Sequence, residues 1–160
     1  MIDGVTIKQL KVHKDIPDTK DDPGKGILME VLRADEGLLK KFGQTIFTVS
    51  YGKGTIKAFH WHKLQDDLWF VATGKVRIVL YDNRELSKTY RETQVITSGA
   101  DDYKLVVIPI GVVHGYQVLT DEPVMLFYHV TEPYNATNPD ELRLPFDDPK
   151  IHFDWSLPHA

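Results

Sequence analysis

Two histidines one residue apart, His60 and His62, stand in a run rich in β-branched and aromatic residues. Side chains at i and i+2 of a strand share a face, so these imidazoles point together while Phe59 and Trp61 point the other way. Asp67 follows, and Gly74-Lys75 marks a turn beyond it. A second segment, Pro109-Ile-Gly111-Val-Val-His114, adds another histidine after an apolar run. Three imidazoles and one carboxylate are a suitable donor set for a divalent Zn, Fe, Mn or Ni ion. The same side chains can equally line a site as hydrogen-bonding groups without metal. His13 and His159 stand alone and are given no role.

Such a site needs rigid strands, and the chain supplies their signals. Runs rich in Val, Ile, Phe, Tyr and Trp recur at 46–51, 55–62, 68–73, 76–81, 94–97, 104–108, 114–119 and 124–130. Turn sequences such as Tyr-Gly-Lys-Gly and Ser-Gly-Ala-Asp-Asp separate them. Short strands at this spacing, without alternating long helices, predict an all-β sandwich or barrel. One short helix is predicted over 34–42, closed by Gly43 as its C-terminal cap. The proline-bearing stretches 15–25 and 131–149 are expected to be ordered excursions beside the barrel.

At 160 residues the chain suits one domain over 1–160, long enough to bury a core unaided. It has no cysteine, which excludes disulfides, thiolate ligands and a cysteine nucleophile. A formal net charge of -4 with interspersed signs offers no footprint for nucleic acid. The apolar run 105–113 is far short of the roughly 20 residues a membrane helix needs, so no membrane association is expected. The amino terminus lacks a signal-peptide pattern, and the expected location is cytoplasmic. The sequon at Asn135-Ala-Thr137 is read as chance.

The order of these residues resembles the two cupin motifs, G-x5-H-x-H-x4-E-x6-G and P-x-G-x2-H, with Asp67 where glutamate is usual. Tyr103 and Val118 stand where that second motif has glycine and asparagine. The resemblance implies the cupin double-stranded β-helix, or jelly roll, with short peripheral helices. A longer likeness runs nearly end to end. Lys57-Ala-Phe-His60, Gly74-Lys-Val, 107–119, Tyr128-His-Val-Thr-Glu-Pro-Tyr134, Asp148-Pro149 and Phe153-Asp154-Trp155 resemble the dTDP-4-dehydrorhamnose 3,5-epimerases, a metal-independent cupin branch. Lys25-Gly-Ile-Leu-Met-Glu30 is similar to that family's Arg-Gly-x-Phe-x-Glu strand.

The likeness implies inversion of a carbon beside the ketone of a nucleotide-linked 4-keto-6-deoxy sugar, without cofactor. It makes His60 the base, Asp148 the partner that orients it, and Tyr128 the acid. Lys25, Glu30, Lys57, His62, His114 and Tyr134 become substrate-binding residues, and a homodimer paired through edge strands is implied. Departures are equally specific. Asp67 stands where the family places a lysine near the enolate oxygen, Lys57 replaces arginine, and His62 replaces glutamine. Two other readings follow: a metal-dependent isomerase or oxygenase on His60, His62, Asp67 and His114, or a non-catalytic sugar-nucleotide-binding cupin.

Overall fold

A computed structural model describes residues 1–15 and 25–157. Among them the strands are β1 (Thr6–Gln9), β2 (His13–Lys14), β3 (Ile27–Leu28), β4 (Gln44–Ser50), β5 (Ile56–Trp61), β6 (Asp67–Thr73), β7 (Lys75–Asp82), β8 (Thr93–Gly99), β9 (Lys104–Ile108), β10 (Val112–Val118), β11 (Val124–Val130) and β12 (Leu142–Arg143). They build two five-stranded sheets, ordered β1-β9-β6-β11-β4 and β12-β5-β10-β7-β8, while β2 and β3 form a separate ribbon. Neighbouring strands are antiparallel throughout. The result is the all-β architecture that the strand pattern predicts, in the jelly-roll form implied by the resemblance to the cupins.

The alternation of side chains decides what each face does. On β6, Trp69 and Val71 join the core between the sheets, with Ile78 and Leu80 of β7, Tyr116 of β10 and Leu126 of β11. Leu68 and Phe70 point outward and are covered by Met29, Val31, Leu32, Leu38 and Leu39. The other sheet's outer face, with Phe59, Val79, Tyr81 and Val113, is covered by Leu144, Ile151, Phe153 and Trp155. Strands covered on both faces need no polar face, which is why 104–108 is almost wholly apolar. Each fully buried large side chain contributes about 1.5–3 kcal/mol.

The helix predicted over 34–42 is a single 3-10 turn, Ala34–Glu36, ended by Gly37 in the left-handed region at φ 65°. Leu38 and Leu39 then pack outward of β6, a placement that two adjacent residues cannot share on one helix face. Gly43 is not a cap. A Cβ there would lie 2.3 Å from the Glu132 backbone, so glycine lets the chain enter β4 against the end of β11. The stretch 131–149 is an ordered excursion that carries β12. Most of the stretch 15–25, and His159, lie outside the described residues. No helix among the described residues is long and apolar enough to cross a membrane.

Candidate active site

The two histidine segments meet because β10 lies beside β5, with His114 opposite His60 in the register. A Cβ on Gly115 would fall 2.3 Å from that of Ala58, so only glycine permits this approach. The loops beyond are tied as well. Gly111 N–H donates to the His62 carbonyl at 2.9 Å, and Ile110 N–H donates to Asp66 Oδ1 at 2.9 Å. Asp67 opens β6 in the facing sheet, whose inward side chains reach the same histidines. His60, His62, Asp67 and His114 therefore converge, each offering one ligand atom within 4.8 Å of the others.

Hydrogen bonding sets the tautomers. His114 Nδ1 is 2.8 Å from the Val112 carbonyl, and His62 Nδ1 is 2.5 Å from the Asp140 carbonyl. A carbonyl only accepts, so both Nδ1 atoms carry hydrogen, and a neutral ring then has a bare Nε2. Burial holds His114 well below the ordinary imidazole range, hence neutral. Its Nε2 lies 3.0 Å from His60 Nε2, so His60 is the donor of that pair and its Nδ1 is left as the acceptor. Burial, then the neighbouring His114, also pushes His60 down, while Asp67 pulls it up. Asp67 accepts from Gln65 Nε2 at 2.7 Å and Trp69 Nε1 at 3.0 Å. Its oxygens are 3.8 Å from His62 Nε2 and 3.7 Å from His114 Nε2.

These groups sit in a cavity of about 930 Å³, within the usual range for small-molecule sites. Tyr128 lines it from β11, and the indole of Trp69 stands between base and acid candidates, 6.1 Å from the His60 ring and 5.1 Å from that of Tyr128. Burial, reinforced by Tyr116, raises the Tyr128 phenol well above its ordinary value. Lys57 and Tyr134 also line the cavity. Lys57 Nζ reaches Thr48 Oγ1 at 3.2 Å, and Tyr134 is 64% exposed.

Three expected residues stand elsewhere. Glu30 is exposed and pairs with Arg33 at 2.8 Å, and Lys25 is exposed beside the β2–β3 ribbon; neither lines the cavity. Asp148 is buried, but its Oδ1 accepts from Lys150 N–H at 2.9 Å, and its backbone carbonyl holds Ile151 and His152. Ile151 packs with Phe59 and Tyr81 on the outer face of the sheet, opposite the face that carries His60. The structure thus does not bring Asp148 to His60, and the carboxylate that acts on that ring is Asp67.

Other residues complete the site without a sequence signal of their own. Asp140 orients His62 through its carbonyl, while its carboxylate accepts from Lys63 N–H at 3.0 Å and Leu64 N–H at 2.8 Å. Gln65 and Trp69 hold Asp67. Arg143 on β12 faces His60 in the register and lines the cavity. A Pro139-Asp140 turn is legible locally, but its contact across 78 residues is not.

Fold and site together define a cupin-type jelly roll with a histidine-lined cavity between its sheets. The family model for dTDP-4-dehydrorhamnose 3,5-epimerase matches residues 2–160, and the chain belongs to that family of isomerases. It is 48% identical to a spore coat polysaccharide biosynthesis protein of Bacillus subtilis, over 98% of this chain and 97% of that one. A probable low-salt glycan biosynthesis epimerase of Haloferax volcanii is 30% identical, over 97% of this chain and 95% of its own. A solved dTDP sugar isomerase from Desulfovibrio desulfuricans superposes with a TM-score of 0.82 at 28% identity, covering 97% of this chain and 92% of that chain.

Proposed function

We propose that this chain inverts a carbon beside the ketone of a nucleotide-linked 4-keto-6-deoxy sugar, in deoxysugar or polysaccharide biosynthesis. The observation that carries the reading is the placement of His60 on β5 and Tyr128 on β11, facing one cavity from opposite sheets. A ketone acidifies the protons on its neighbouring carbons. A base on one wall and an acid on the other then replace a proton on the opposite face. His60 Nδ1 takes the proton, and the C–H electron pair becomes the enolate double bond as charge moves to the ketone oxygen. Tyr128 returns a proton to carbon from the other wall, and exchange with solvent resets both groups. Its raised phenol stays protonated until an enolate, a stronger base, draws on it.

Lys57 and Arg143, the cationic residues lining the cavity, suit a diphosphate, and Tyr134 suits a flat ring at the mouth. The reaction requires no cofactor. The names of the two relatives, which place them in spore coat polysaccharide and glycan biosynthesis, support the pathway class. A cytoplasmic homodimer fits the reading, since Ile46 and Phe47 on edge strand β4 are 38% and 51% exposed.

The test is incubation with dTDP-4-keto-6-deoxyglucose in heavy water, followed by NMR at C3 and C5. Inverted product carrying deuterium at one or both carbons is expected. Tyr128→Phe should keep the exchange and lose the inversion. A substrate that retains both protons against the unmodified protein would contradict the reading.

A further inference from the structure

We infer that Tyr116, braced by Ser50, is a positioning residue for the acid: its hydroxyl accepts the Tyr128 hydrogen at rest and donates to the phenolate left when that proton has been delivered. The hydrogen-bonded chain stands on the packing between the sheets; its part in the reaction rests on the epimerase reading above.

Strand β10 puts Tyr116 in place. His114 and Tyr116 are two residues apart, so both project between the sheets, the first against the base His60. The β5–β10 register slips by one residue between them, with Tyr116 opposite Lys57 rather than Ala58. Such bulges commonly re-aim a side chain beside a site. Tyr116 is 1% exposed, lines the cavity, and meets the Trp69 indole edge to face at 5.7 Å and 88°. The same indole lies 5.1 Å from the Tyr128 ring, and Asp67 pins its Nε1, so both phenols pack on one fixed ring.

From the facing sheet, Ser50 at the end of β4 sets its Oγ 2.8 Å from the Tyr116 oxygen, and it is 2% exposed. The cluster around this pair is otherwise apolar, with Val71, Val76, Val118, Val124 and Leu126. A phenylalanine ring would fill the same space. Packing alone therefore does not account for a buried phenol with a serine brought to it.

Each hydroxyl carries one hydrogen, which fixes the order of the chain. After burial, Tyr116 is the next cause of the raised Tyr128 phenol, through its charge and through a hydrogen bond between the two side chains. A bond that raises a phenol is one its neutral form donates. Tyr128 O–H thus donates to Tyr116, and Tyr116 O–H donates to Ser50 Oγ. When the enolate forms, its double-bond pair makes the new C–H bond with the Tyr128 hydrogen, and the ketone is restored. The O–H pair stays on Tyr128 as phenolate. Rotation of the Tyr116 hydroxyl then turns a donor toward that charge, and rotation of Ser50 O–H satisfies Tyr116 in turn.

The test follows exchange and inversion separately for Tyr116→Phe and Ser50→Ala in the full chain, with dTDP-4-keto-6-deoxyglucose in heavy water. Tyr116→Phe should slow inversion about 10–100-fold, the worth of a hydrogen bond to a charged group, while exchange keeps its rate. Ser50→Ala should show the same split at smaller amplitude. A second measurement needs no turnover. In a double-mutant cycle on urea unfolding, Tyr116→Phe and Tyr128→Phe should be coupled by about 3–10-fold in the folding equilibrium constant, and the same curves confirm that the variants fold. Inversion at an undiminished rate, or exchange and inversion that fall together, overturns the positioning role. Additive losses in the cycle overturn the chain. Coupling in a protein whose unmodified form never exchanges supports the chain and refutes the epimerase reading instead.

Discussion

Asp67 and Asp82 are both buried carboxylates at strand ends, at 3% and 0% exposure, yet their surroundings differ in kind. Asp82, closing β7, is gripped by Arg84 through Nε and Nη2, both at 2.8 Å, and by Ser87 Oγ at 2.5 Å and Thr89 Oγ1 at 2.6 Å. Burial alone would raise its pKa, but the hydrogen bonds from Arg84, Ser87 and Thr89 hold it well below the ordinary carboxylate range. Asp67 has two neutral donors and two histidines. One carboxylate is spent on holding the 82–89 turn. The other lines the candidate active site and acts on the His60 ring.

The comparison can be broken by removing each carboxylate. Asp82→Ala should cost about 3 kcal/mol or more in urea unfolding, because it strands the Arg84 fork beside a buried gap. Asp67→Asn should change stability by no more than about 1 kcal/mol, since an amide oxygen can still accept from Trp69 or Gln65. Equal losses would mean that Asp67 is as structural as Asp82.

Acid should act on the two regions in sequence. The His60 and His114 rings are held below the ordinary imidazole value, so the unfolded chain takes up protons first as pH falls. Stability should be complete above about pH 6.5 and decline below it, by up to about 1.4 kcal/mol per pH unit per histidine. The stabilisation from Asp82 is present above about pH 3.9 and is lost only as pH falls further, through its lowered folded value. Urea midpoints at about pH 7, 6 and 5 check the first step. A flat profile over that range would show that the rings are not buried in neutral form.

Much of this was legible in the residues. Strand β9 coincides with the apolar run 104–108, because a strand buried on both faces needs little else, and β11 coincides with the run 124–130, rich in Val, Leu, Phe and Tyr. Strand β1 was not legible: it is an edge strand, Thr-Ile-Lys-Gln, with only Ile7 packed on the core between the sheets. The helix over 34–42 failed since an apolar cluster near a glycine does not say whether it will wind or lie flat against a sheet. At the site, the i, i+2 spacing of His60 and His62 carried real geometry, and the convergence of His114 and Asp67 followed from motif order. Asp148 did not follow. Position in a likeness fixes order along the chain, whereas the face of the sheet on which a segment packs depends on Ile151, Phe153 and Trp155 finding Phe59 and Tyr81. Asp140 is not legible for a similar reason, since its contact with His62 spans 78 residues, whereas Gln65 touches Asp67 and His62 only through the way the 62–67 turn folds.

The central claim is that His60, oriented by His114 and influenced by Asp67, removes the proton beside the ketone. The most direct measurement is the rate of solvent deuterium exchange into a 4-keto-6-deoxy sugar nucleotide by His60→Ala beside the unmodified chain. Loss of the base should slow exchange by about 10²–10⁴-fold while nucleotide-sugar binding persists. Exchange at an undiminished rate in the folded variant would contradict the account.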